Sequence, residues 1–119
     1  MSSLALAGCN KPAPAPVATA NPVQTAADDA STAYSNCVDK AAAAVDLAAA
    51  EPGALADVAL KSCIEARTIA VAKLGASQQA VGKDAATAAL VAERSMRVAD
   101  AQLRDRANTA IVTRKLKAV

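Results

Sequence analysis

The chain has 119 residues, enough for one small domain, and its 54% hydrophobic content is mostly alanine. It carries 13 basic and 11 acidic side chains, a net charge of +2, which gives no reason to expect nucleic acid as a partner. Histidine is absent, removing the commonest general base and metal ligand, and no run of about 18 apolar residues offers a membrane-spanning helix. Tyr34 is the only aromatic residue. Alanine favours helix strongly but buries little area, so the composition predicts abundant helix around a thin core that needs a staple.

The N-terminus reads Ser3-Leu4-Ala5-Leu6-Ala7-Gly8-Cys9, an apolar run of small residues ending in cysteine. Leu6-Ala7-Gly8-Cys9 resembles the lipobox of bacterial lipoproteins: leucine, a small residue, glycine or alanine, then cysteine. The resemblance implies that Cys9 takes a diacylglycerol, that the chain is cut before it, and that the new amine is acylated. Acyl chains at about 0.8 kcal/mol per buried CH₂ make two or three of them a stable anchor. Residues 1–8 are then the remnant of a signal peptide, since nothing basic precedes Lys11. Where an aspartate after the cysteine marks retention in the inner membrane, Asn10 points instead to the outer one. The implied address is the cell envelope, on an outer-membrane anchor facing the periplasm.

From Asn10 to about Thr25 runs NKPAPAPVATANPVQT. Pro12, Pro14, Pro16 and Pro22 exclude helix and favour an extended, disordered tether over residues 9–25, about 50 Å at full stretch. A helical domain is expected over 26–119. Its first helix opens near Asp28 and Asp29, whose charge suits a helix N-terminus, and continues to Ala49 or Ala50. Glu51-Pro52-Gly53 makes the turn. A second helix follows from about Ala54 to Leu74, with Gly75 as its stop.

Cys37 and Cys63 lie at comparable distances on either side of that turn, so an antiparallel hairpin brings them level. The spacing predicts a disulfide, which closes a loop worth about 3.5 kcal/mol in the chain-entropy model and suits an oxidising periplasm. Beside it, Tyr34, Val38, Ala41, Val45 and Ala48 recur at helical spacing and are expected to form core, with Tyr34 as a packing anchor. On the second helix Leu60, Ile64, Val71 and Leu74 do the same, interrupted by Arg67.

After the connector ASQQAVG, no Pro or Gly interrupts the chain from Lys83 to Lys117. Ala85, Ala89, Ala92, Met96, Ala99, Leu103, Ala107 and Ala110 mark the packed face of a third helix, roughly 50 Å long. Glu93 with Arg97, and Asp100 with Arg104, stand at i,i+4 spacing. A helix longer than the hairpin should overhang it. Its end carries Ile111, Arg114, Lys115, Leu116 and Lys117, read either as positive charge at a helix C-terminus or as a surface for a partner, anionic lipid or a second copy of the chain.

The expected architecture is therefore all-α: a disulfide-stapled hairpin plus a long third helix, a three-helix bundle on a tether. No nucleotide-binding loop, nucleophile elbow or metal-ligand cluster stands in the sequence. The reading is a non-catalytic envelope module that needs no cofactor or metal and serves an envelope protein partner. Two alternatives remain open: a small inhibitor, immunity or phage/plasmid-exclusion lipoprotein, and an oligomeric spacer resembling murein lipoprotein. The Leu-Lys-Ala-Val ending departs from that last family, which ends in the lysine that joins peptidoglycan.

Overall fold

The computed structural model describes residues 21–119, all of whose regular elements are helices. There are four: α1 (Pro22–Ala44), α2 (Pro52–Lys61), α3 (Ile64–Ala80) and α4 (Ala85–Ala118). Cys9, the lipobox and the tether as far as residue 20 lie outside the described residues.

α1 starts earlier than the prolines predict. The Asn21 side chain accepts a hydrogen bond from the Val23 amide at 2.8 Å, and Pro22 takes the first helical position. A proline there gives up only an N–H that the first turn leaves unpaired, and its φ already suits helix. Pro22 therefore begins the helix. Asp28 and Asp29 sit within it instead of at its start, with Asp28 accepting from Gln24 at 2.9 Å.

The same helix stops short of Ala49, at Ala44, where Val45 turns extended. Asp46 folds back on its own backbone, its carboxylate accepting from the Ala48 amide at 3.0 Å and its carbonyl from the Ala49 amide at 3.1 Å. Such local side-chain bonds compete with helix even in an alanine run. Arg114 of α4 takes two of the freed carbonyls, Ala42 at 2.7 Å and Val45 at 3.2 Å.

The expected second helix is two. α2 opens with Pro52 at its first position, and the chain leaves helical geometry at Cys63, whose φ and ψ are −109° and 22°. Around the break, the Ser62 hydroxyl donates to the Ala59 carbonyl at 2.7 Å and the Cys63 amide to Leu60 at 3.0 Å. α3 then runs through Gly75 to Ala80, absorbing most of the expected connector. The stop belongs to Gly82, the one described residue with positive φ, at 104°. Lys83 closes that end by donating to Gln78 at 3.2 Å.

α4 is capped by Asp84, which accepts from the Thr87 amide at 2.8 Å, and its 34 residues span about 51 Å. It runs parallel to α1, where Tyr34 meets Asp100 and Asp39 meets Arg106, and antiparallel to α2 and α3, where Asp57 meets Arg104 and Arg67 meets Glu93. Because α2 and α3 together cover Pro52–Ala80, little of α4 overhangs. Lys115 still reaches the Ala50 carbonyl at 3.3 Å.

The core unites Tyr34, Val38 and Ala42 of α1 with Leu55 and Ala59 of α2, Ala70 of α3, and Met96, Leu103, Ala107 and Ile111 of α4. Ala41, Val45, Leu60, Val71, Leu74 and Ala99 pack around it half-buried. Ala48, Ile64, Ala85, Ala89 and Ala110 are exposed. On α4 the seven-residue repeat drifts against the 3.6-residue turn, so the buried face passes through Ala88 and Ile111 at its ends.

Candidate functional site

Two places gather the polar chemistry of the described residues: a clasp where α1, α3 and α4 meet, and the C-terminal end of α4.

The clasp is built around Arg67. Its position, one turn after Cys63, puts a guanidinium in phase with the apolar residues of α3, where burial demands carboxylate partners. α4 supplies two. Arg67 Nε donates to Asp100 Oδ2 at 2.9 Å, while its Nη2 lies 2.6 Å from Glu93 Oε2 and 2.8 Å from Asp100 Oδ2. α1 adds Tyr34, fully buried, whose hydroxyl donates to Asp100 Oδ1 at 2.6 Å. Four side chains from three helices thus satisfy one another, and no buried side-chain nitrogen or oxygen among the described residues lacks a partner.

The electrostatics follow from this geometry. Burial, reinforced by the bond to Asp100, pushes the Tyr34 hydroxyl well above its ordinary range. The hydroxyl is therefore a donor and not a base. The bonds to Asp100 and Glu93 push the Arg67 guanidinium still higher, so its charge is spoken for. A recess of about 150 Å³ adjoins the clasp, lined by Leu60, Lys61 and Ile64 besides Tyr34, Arg67 and Asp100.

The i,i+4 pairs expected on α4 give way here. Glu93 and Asp100 both turn to Arg67, and Arg104 reaches across to Asp57 at 2.6 Å. That bond holds the exposed Asp57 carboxyl below its usual value. Arg106 grips Asp39 of α1 through two bonds, at 3.0 and 2.9 Å. Inter-helix partners win because they also neutralise charge at the packing seams. The one sequence signal of the clasp is Arg67 itself, a cation in an apolar phase.

Cys37 and Cys63 form a disulfide, with their Cα atoms 5.9 Å apart. Cys63 is buried and Cys37 half-buried, facing an open depression of about 610 Å³ on the α1 surface lined also by Ala33, Asn36, Lys40 and Ala41. The bridge ties the middle of α1 to the joint between α2 and α3.

The expected partner surface at the end of α4 divides. Ile111 is fully buried and belongs to the core, because the drift of the helix face carries it inward. Arg114 and Lys115 are half-buried and occupied with the carbonyls of Ala42, Val45 and Ala50. Only Leu116, 71% exposed, and Lys117 remain as free surface. Among the described residues no cluster of metal-ligating side chains occurs, and no helix is long and apolar enough to cross a membrane.

Comparison with protein-family models, with curated proteins and with solved structures finds no match to this chain.

Proposed function

We propose that this chain is a non-catalytic lipoprotein of the bacterial envelope, anchored through Cys9 in the outer membrane and facing the periplasm. The observation that carries the reading is the pairing of Leu6-Ala7-Gly8-Cys9 with a Cys37–Cys63 disulfide in one short chain. The first is the recognition sequence for lipid attachment. The second is a bond that persists in the oxidising compartment to which such attachment leads. Residues 10–20 serve as the proline-rich tether. Beyond it stands a bundle of three rods, the second of them broken at Ser62-Cys63, which presents its helical surface to a protein partner in the envelope.

The test is chemical. Native protein extracted from bacterial membranes should begin at Cys9 and carry the mass of a diacylglyceryl group and an amide-linked acyl chain there. Cys9→Ala should abolish that mass and move the protein to the soluble fraction. Native protein recovered from the soluble fraction with an unmodified Cys9 overturns the proposal.

A further inference from the structure

The outward face of α4 carries a second pattern, opposite the core. Leu90, Arg97, Ala101, Asp105 and Val112 are all exposed along it. Ala101 is the centre of the pattern. Arg97 and Asp105 stand four residues to either side of it, and Leu90 and Val112 eleven. Offsets of four and eleven are those of a seam that one helix can present to another.

The arrangement is complementary to its own reverse. Turned end for end about Ala101, the helix sets an anion where a cation stood and one large apolar side chain where the other stood. Two copies related by a two-fold axis at Ala101 would oppose Arg97 to Asp105 twice and Leu90 to Val112 twice. The small Ala101 side chains at the axis let the helices come close. Seven residues out, Arg94 would meet the amide of Asn108. A parallel pairing has no such merit, since it sets Arg97 against Arg97.

These groups are also uncommitted among the described residues. Leu90 is 61% and Val112 36% exposed, and the ion pairs formed among the described residues include neither Arg97 nor Asp105. We infer that this face is a self-association surface, on which a second copy of the chain packs antiparallel along α4. A seam one helix wide falls at the small end of specific interfaces, so the pair is weak and forms with rising concentration.

Analytical ultracentrifugation of the full chain, carrying Cys9→Ser to remove the free thiol, tests the inference. The mass should rise from monomer to dimer with concentration. Arg97→Glu alone and Asp105→Arg alone each place like charges across both contacts, and each should weaken the dimer by about tenfold or more. Mixing the two single variants should restore association, because every contact is again between opposite charges, and the double variant R97E/D105R should pair as the parent does. Both sites are exposed, so circular dichroism should show all variants folded alike. A parent that stays monomeric up to about 1 mM overturns the inference. So do single variants that associate as tightly as the parent, or a mixture that fails to recover.

Discussion

The Tyr34 hydroxyl donates to Asp100 Oδ1 at 2.6 Å, joining the only aromatic side chain of the protein to a carboxylate 66 residues away. That carboxylate also receives Arg67, so one acceptor joins three of the four helices: α1 through Tyr34, α3 through Arg67, and α4 on which it stands.

The bond makes stability fall in alkali. Tyr34 titrates above its ordinary value near 10 in the folded chain. A raised value means that folding favours the protonated hydroxyl, whose contribution is complete below pH about 10 and is lost as the pH climbs toward the folded value. With one tyrosine and no tryptophan, absorbance of the phenolate reports this site alone. Its appearance should coincide with loss of helix by circular dichroism. Tyr34→Phe should cost about 1.5 kcal/mol at neutral pH in denaturant unfolding, and should flatten the alkaline decline.

Arg67→Ala should destabilise by about 2 to 3 kcal/mol, since it strands Asp100 and Glu93 beside each other at a partly buried seam. Arg67→Lys should recover only part, because an ammonium cannot make the forked contact. Urea denaturation of the three proteins gives the order. Equal stability of the alanine variant and the parent would show that the clasp contributes nothing net.

Reduction of Cys37–Cys63, or its replacement by two alanines, should cost about 3.5 kcal/mol, from reopening a loop of 26 residues. Helix content should change little in the cold, as Asn21 and Asp84 still cap the two longest helices, α1 and α4. The loss should appear as a lower midpoint in thermal unfolding.

Ile111→Ala and Leu116→Ala, five residues apart on one helix, should behave oppositely. The first empties a fully buried position and should cost about 2 to 4 kcal/mol. The second removes a side chain that is 71% exposed and should change stability by less than about 0.5 kcal/mol. Chemical denaturation of the pair measures how far the drift of the α4 face sets the boundary between core and surface.

Asp84→Ala should lower stability by removing the cap of α4. The cap depends on charge: the Thr87 amide holds the Asp84 carboxyl below its ordinary value. Its contribution is therefore present above the unfolded value near 4 and fades as the pH falls through the folded one. The parent and the variant should converge in stability below that range, as unfolding at pH 7 and in acid would show.

The all-helical character of the described domain, the disulfide, and burial of Tyr34, Val38, Met96 and Leu103 were legible in the residues themselves. Each rests on something local or periodic: alanine's propensity, two cysteines spaced about a Pro-Gly turn, apolar side chains in phase. Pro22 and Gly75 misled for a local reason too. A proline tolerated at the first helical position and one that breaks a helix look alike until the cap is seen, and a glycine within α3 resembles the one that ends it.

Other features were beyond the chain read alone, because partners distant in sequence decide them. Asp46 turns the chain just after Ala44, but the carbonyls left open there are bonded by Arg114, which arrives from the far end of the molecule. Nothing near Ser62 announces a break, yet the helix pauses at the residue bridged to Cys37. Glu93, Asp100 and Arg104 had suitable partners one turn along, and took partners on other helices instead. Sequence determined that the domain is helical and that cysteines must staple so thin a core. Tertiary structure decided where those helices end and which charges meet, because a buried carbonyl or guanidinium takes its partner from whatever packing brings within reach.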